Sequence, residues 1–341
     1  MTLVPPPTIA DIARAAEVST ATVSHALNGT GRVGEGTRRR VREVAAALGY
    51  GARRGPRTRT LGLAVTTYAG NAWDFAGVAY FSRLITAATS AAHARGYALT
   101  TLPAERGAEA LWHTLAVDGM LLLDSPTGDP VLRALRARGM PVVFDGRPAD
   151  PRPGDVWVDN DHAATTREVL DHLAAAGARR IALHSDYGHD HYSNAVTAAY
   201  EQWCEEGERE PLVIPFDPHD TPGHAFDEAL AGPPGARPDA VHCVFDPGGR
   251  QVLSAARRHG LRVPGDLLLV CASEDPAYAE GDPAAGAVPV STVTLRPEVI
   301  GETAVAALVA LIESGQPETP GQRTVPAGLE VRASSRPPVM Y

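Results

Sequence analysis

Apolar residues recur at helical spacing through the first fifty positions. Ile9, Ile12, Ala13 and Ala16 form one narrow stripe, Val23, Ala26 and Leu27 a second, and Val41, Val44, Ala45 and Leu48 a third. Three short helices are predicted. Thr8 is placed to cap the first, with Asp11 three residues on as an acidic variant of the capping box. Ser19 is placed to cap the second, and Gly49 to stop the third. Ala13, the turn at Glu17 and Val23 have the spacing that lets two helices cross closely through a short turn. From residue 61 the pattern changes. LGLAVTTY (61–68), YALTTL (97–102), GMLLLD (119–124), PVVFD (141–145), RIALHS (180–185), AVHCVF (240–245) and DLLLVCA (266–272) are apolar throughout, with helical stretches such as Phe81 to Arg95 between them. Strands of this kind belong to parallel sheets covered on both faces, so the fold class is α/β and doubly wound. Ligands in such folds sit beyond the carboxyl ends of strands.

A helix-turn-helix head places its second helix in the major groove, with the first turn toward base edges. Thr20, Ala21 and His25 are the candidates for base contact. Ser19, Thr22, Ser24 and Asn28 suit phosphates, as do the amides at the helix start. An ordinary three-helix bundle without a DNA role is the plain alternative; stripe, caps and turn spacing together favour the DNA-reading one.

Charge supports that choice. The 341 residues carry a net −9, yet residues 1–60 hold ten Arg against four acids. The head is therefore +6 and the remainder −15, a segregation that draws the head to phosphates and keeps the body off them. Arg53, Arg54 and Arg57 extend the basic run into residues 51–59. These read as a hinge that lies along phosphates or enters a narrow minor groove, or as a plain solvated linker. The sequence has no Lys. Its three Cys, at 204, 243 and 271, have no paired spacing and fit a reducing compartment. With no membrane-length apolar run and no signal-peptide core at MTLVPPPT, a cytoplasmic protein is expected.

TIADIARAAEVSTATVSHALN, Thr8 to Asn28, resembles the DNA-binding head of the lactose-repressor (LacI/GalR) family of transcriptional regulators. The likeness continues in family order through VDGMLLL (117–123), RGMPVVFDGRP (138–148), VWVDND (156–161), HGLRVPGDLLLV (259–270), STVTLRPEVIGETAV (291–305) and LEVRASSRPP (329–338). The resemblance implies a helix-turn-helix head at 1–50, a hinge at 51–59 and a periplasmic-binding-protein-like body at 60–338. The body is expected as two lobes joined by three crossovers, about 60–158 with 292–322 and about 161–289 with 323–338, enclosing an effector cleft. It further implies a dimer on a pseudo-palindromic operator, with repression as the family default. The family's tetramer-forming tail is not expected after LEVRASSRPP.

Three departures carry information. Glu17 stands where the family often has Gly, at a turn that favours positive φ. The hinge GARRGPRTRT lacks the family's leucine and contains Gly51, Gly55 and Pro56, so a wedge that kinks DNA is not expected. In the cleft, three positions that hold sugar hydroxyls in family members become Val196, Phe245 and Ser273. Tyr80 and Phe81 match the family's aromatic pair. Asp145, Asp159, Asp246, His191 and Tyr192 complete the candidate effector set, with Trp73, Phe75, Tyr187, His189 and Trp203 as further aromatic or histidine candidates. The effector is expected to be less polyhydroxylated than a simple hexose, or absent.

HSDYGHDHY groups His184, His189 and His191 with Asp186 and Asp190, which reads as solvated loop histidines rather than a metal site. No nucleophile elbow or catalytic triad spacing occurs, so no enzyme, cofactor or metal is expected. A solute-binding protein with the same body is the alternative from another class; the N-terminal head argues against it.

Overall fold

The structure, a computed structural model, describes residues 8–28, 33–47, 57–66, 78–102, 109–186, 188, 190–220, 222–281, 288–314 and 321–336. The expectations for Leu48, Gly49, Arg53, Arg54, Trp73, Phe75, Tyr187 and His189 lie outside these residues. The chain divides into a head and a body.

In the head, α1 (Ile9–Ala15) opens on a complete capping box. Thr8 Oγ1 accepts from the Asp11 amide at 3.3 Å, and Asp11 Oδ2 accepts from the Thr8 amide at 2.8 Å. The turn then passes through Glu17 at φ 53°. α2 (Thr20–Asn28) starts after Ser19, whose Oγ accepts from the Thr22 amide at 3.1 Å. α3 (Glu35–Ala47) closes the bundle. Ile12, Ala13, Ala16, Val23, Ala26, Val41 and Ala45 form its core, and Ile9, Leu27 and Val44 pack partly buried at its edge.

The body begins with β1 (Thr60–Val65), α4 (Ala79–Ala94), β2 (Ala98–Thr101), α5 (Glu109–Thr114), β3 (Gly119–Leu123), α6 (Pro130–Ala137), β4 (Val142–Asp145) and β5 (Val156–Asp159). It continues with α7 (His162–Ala175), β6 (Ile181–Ser185), α8 (His191–Glu206), β7 (Val213–Pro215), α9 (Asp227–Leu230), β8 (Ala240–Cys243), α10 (Asp246–Arg258), β9 (Leu268–Ala272), α11 (Pro276–Glu280) and β10 (Ser291–Thr294). It ends with α12 (Pro297–Ser314), β11 (Gln322–Thr324) and β12 (Gly328–Glu330).

Two six-stranded sheets result. The first runs β11-β5-β4-β3-β1-β2, all parallel; the second runs β12-β10-β9-β8-β6-β7, parallel except for β12 against β10. The continuous apolar strands serve both faces at once. In β3, Leu121 and Leu123 join the core under α4 and α12, while Met120 and Leu122 join Trp112, Val131 and Leu135 on the opposite face. In β9, Leu268, Val270 and Ala272 pack with α7 and α8, while Leu269 and Cys271 pack with α10. Gly301 lets α12 close on α4, since a Cβ there would stand 2.8 Å from the Leu84 carbonyl oxygen. All three cysteines are free and buried.

One lobe boundary differs from expectation. Ser291, Thr292 and Val293 pair in register with Val270, Cys271 and Ala272, so β10 belongs to the second lobe, and β11 still pairs with β5 of the first. The third stretch of the first lobe therefore runs about 296–325, not 292–322: the ladder holds STVT in the second sheet until its last residue. The crossovers fall at 160, 295 and 325–327. Asn160 fastens all three, its Nδ2 donating to the Leu295 carbonyl at 3.2 Å and to the Val325 carbonyl at 2.8 Å.

Candidate nucleic-acid interface and ligand cleft

α2 turns Val23 and Ala26 fully into the head's core and leaves Thr20, Ala21 and His25 exposed. Ser19 is exposed and Thr22 and Ser24 are half-buried on the same helix. Asn28 ends α2, and Arg57 is exposed. The head thus presents short hydroxyl-bearing side chains and a histidine from one helix. That chemistry suits hydrogen bonding to phosphates and base edges.

Between the lobes lies a cavity of about 860 Å³, measured with its open mouth. It forms where strands end. β3, β4 and β5 lead into Asp124, Asp145 and Asp159, which place three carboxyls at neighbouring strand ends on the first lobe, Asp145 pairing with Leu123 and Val158. Asp124 itself adopts φ 49°, a conformation Asp tolerates better than most residues. Tyr80 and Phe81 come from the start of α4. The second lobe supplies His191 and Tyr192 from α8, Phe245 and Asp246 from the start of α10, and Ser273 and Glu274 beyond β9.

Tyr80 donates its hydroxyl to Asp145 Oδ1 at 2.8 Å. Asp145 Oδ2 is buried and has no hydrogen-bond partner among the described residues, on a side chain 4% exposed. Burial pushes the Asp145 carboxyl up to about 7, against the pull of the Tyr80 hydrogen bond, and the charge of Asp159 adds to the rise. Asp124 is raised as well, by burial and then by the charges of Asp145, Asp190 and Asp159. Asp159 goes the other way. Burial opposes its ionisation, yet the His162 ring at 2.7 Å and the amides of Arg147 and Asn160, both at 2.8 Å, hold it below the usual range.

On the second lobe the carboxylates of the cleft, Asp246 and Glu274, have partners. Asp246 accepts from Ser273 Oγ and from Arg250 at 3.0 Å. Glu274 accepts from Arg83 at 2.9 Å, across the lobes, and from the Leu295 amide at 2.6 Å. Tyr192 donates to the Val244 carbonyl at 2.7 Å and stands edge-on to Phe245 and His162. Burial lowers the His191 ring below its ordinary value.

Of the effector candidates, Tyr80, Phe81, Asp145, Asp159, His191, Tyr192, Phe245, Asp246 and Ser273 line one cavity. Val196 does not: it is 4% exposed in the second lobe's core with Tyr200 and Trp203. Its helix turns that position onto the sheet. Trp203 is likewise a core residue, donating to Asp171 at 2.8 Å. His184 is not a loop histidine. It lies inside β6, bonded to the Ile214 carbonyl at 3.0 Å and to Gln251 Oε1 at 2.8 Å. Among the described residues no group of three His, Cys, Asp or Glu is placed to hold a metal ion, and no helix is long and apolar enough to cross a membrane. The candidate set omitted Asp124, Asn160, His162 and Glu274. A signal for Asp124 was present: LLLD, VVFD and VWVD each end an apolar strand on aspartate.

Comparison with known proteins places both parts. The family model for bacterial regulatory proteins of the lacI family matches residues 8–52, and the model for a periplasmic binding protein-like domain matches residues 170–335. The HTH-type transcriptional regulator CelR of Thermobifida fusca is 28% identical over 350 residues, covering 96% of this chain and 98% of its own length. The HTH-type transcriptional repressor PurR of Aliivibrio fischeri (strain ATCC 700601 / ES114) is 26% identical, covering 90% and 92%. Among solved structures, a transcriptional regulator CelR–cellobiose complex superposes with a TM-score of 0.70 at 26% identity over 96% of this chain and 99% of that one. A lac repressor dimer bound to operator and the anti-inducer ONPF shares the fold, with a TM-score of 0.66 at 20% identity over 97% and 100%.

Proposed function

Because the chain belongs to the lactose-repressor (LacI/GalR) family of DNA-binding transcriptional regulators, we propose that it is a dimeric repressor of a pseudo-palindromic operator, controlled by a small molecule in the inter-lobe cleft. The observation that carries the DNA half is the division of α2 between a buried face and an exposed first turn. Thr20, Ala21 and His25 meet base edges. Ser19, Thr22, Ser24 and Asn28 meet phosphates, and Arg53, Arg54 and Arg57 follow the backbone. The two heads of a dimer read half-sites related by a two-fold axis.

The effector half rests on the cavity and its unsatisfied carboxylate oxygen. Tyr80, Phe81, Asp145, Asp159, His191, Tyr192, Phe245, Asp246 and Ser273 are its contacts. The ligand is less polyhydroxylated than a simple hexose, since Phe245 and Ser273 stand in the cavity where the family resemblance puts sugar-hydroxyl ligands, and an unpaired hydroxyl loses its water on binding. Tight calorimetric binding of a free hexose would overturn that. A transport role on the same body is disfavoured by the lacI-family head.

Selection of duplexes from a random pool by the purified protein tests the whole reading. Recovery of one pseudo-palindrome of roughly 14–20 base pairs is expected. Recovery of no preferred sequence, with and without small-molecule extract, would refute it.

A further inference from the structure

One buried oxygen of the cleft has nothing to bond to. Asp145 Oδ1 takes the Tyr80 hydroxyl at 2.8 Å, while Oδ2 is buried with no hydrogen-bond partner among the described residues. The other carboxyls of the cavity are engaged. Asp159 is held by the His162 ring and two amides, and Asp246 by Arg250 and Ser273. Glu274 has Arg83 and the amides of Leu295 and Arg296, and Asp124 has interactions of its own. Arg147, two residues beyond Asp145, is the arginine of the lining. Its amide donates to Asp159 at 2.8 Å, but no carboxylate pairs with its guanidinium among the described residues. Burial lowers the His191 ring first, and the charge of Arg147 lowers it further against the pull of Asp159. The guanidinium is thus close enough to act on the second lobe's side of the cavity.

Asp145 is a poor place for a bare charge. Burial, and after it the charge of Asp159, favours the protonated carboxyl over the pull of the Tyr80 hydrogen bond. Protonated, Oδ2 is a donor that lacks an acceptor. The guanidinium of Arg147 is a second set of donors, and both call for the same complement, an acceptor-rich anion. A carboxylate supplies one oxygen to each. An ammonium would meet Asp145 but stand beside the charge of Arg147. Apolar surface comes from Phe81 and Val78 on the first lobe and from Phe245 and Leu295 across the cavity. We propose that the cleft takes a carboxylic acid, its carboxylate held between Asp145 and Arg147 and its ring or chain against Phe81, Phe245 and Leu295. This rests on the reading of the cavity as an effector cleft. The bound acid keeps a proton on Asp145 Oδ2, so binding draws a proton from solution wherever Asp145 was ionised beforehand.

The test is calorimetric titration of the full-length protein at millimolar ligand, in buffers of different ionisation enthalpy. Benzoate, phenylacetate and hexanoate are each set against the matching carboxamide and the matching amine. At least one acid should bind about tenfold or more tighter than its amide and its amine, the scale of a charge-assisted hydrogen bond. Its binding should take up about half a proton at pH 7, where Asp145 is half ionised, and weaken as pH rises from 7 to 9. Arg147→Gln should bring acid and amide to within about twofold. Asp145→Asn keeps a donor, so it should retain the preference for the acid and lose both the proton uptake and the pH dependence. Each variant's thermal melt reports that the fold is intact. Equal or tighter binding of the amides or amines overturns the charge assignment and leaves the effector cleft standing. An acid preference unchanged in Arg147→Gln, or proton uptake unchanged in Asp145→Asn, overturns the assignment to these two residues. Failure of every probe to bind overturns the proposal and counts against the effector reading beneath it.

Discussion

Asp145 holds a buried carboxyl whose folded-state pKa, about 7, lies above the ordinary 3.8. Its contribution to stability is complete below the ordinary value and is lost as pH rises through about 7. Asp145→Asn, neutral at every pH, should therefore melt several degrees above the parent protein at pH 8, with the gain gone at pH 4. His242 acts in the opposite sense. Burial lowers its ring to about 4, and His184 is lowered for the same reason. The unfolded chain takes up protons that the folded one refuses, so the Asp145→Asn variant should lose melting temperature as pH falls from about 6.5 toward 4. A flat profile there would mean that the buried rings are not the titrating groups. On DNA, His25→Ala should change which sequences are preferred. Arg57→Ala should weaken all sequences alike and flatten the salt slope by about one unit. Competition binding across operator variants at several salt concentrations separates the two, and identical behaviour would remove His25 from the base-reading set. At this scale the sequence was informative about which residue types reach the cleft and poor about orientation. Val196 sits in the right helix but one face away, and His184 sits in a strand whose continuous apolar surroundings outweighed its neighbouring acids.

Elements were legible where periodicity and caps agreed. The capping box at Thr8 and Asp11, the Ser19 cap and the doubly wound strands all follow from local pattern. The partition of β10 was not legible, because STVT reads equally well as the start of a new lobe segment; only its pairing with β9 decides it. Glu17 is the one strained link in the head's turn, at φ 53°. A non-glycine residue there costs on the order of 1 kcal/mol. Glu17→Gly should slow hydrogen exchange in α1 and α2 of the full-length protein and leave exchange in the body unchanged. Faster exchange in the head would show that the glutamate's side chain contributes more than its backbone costs.

The molecule's two-lobed body is one chain that passes between its lobes three times, and Asn160 gathers those passes with two hydrogen bonds from a single carboxamide. Asn160→Ala leaves the carbonyls of Leu295 and Val325 without that donor and should lower the body's stability by on the order of 2 kcal/mol. Asn160→Asp, the same shape with no donors, should fall further at neutral pH. Denaturant melts of the three proteins check the order, and equal midpoints would deny the fastening any energetic role. None of this was readable from one sequence, since an Asn after a strand gives no hint of partners 135 and 165 residues away. The arrangement also bears on how such proteins recombine. No single cut separates the lobes, so an exchange of lobes between relatives must trade several segments at once. Both acceptors at the junction are main-chain atoms, which any residue supplies. For the hydrogen bonds of this junction, chimaeras should therefore need only asparagine at 160, while the side chains at 295 and 325 answer to the cores they pack in.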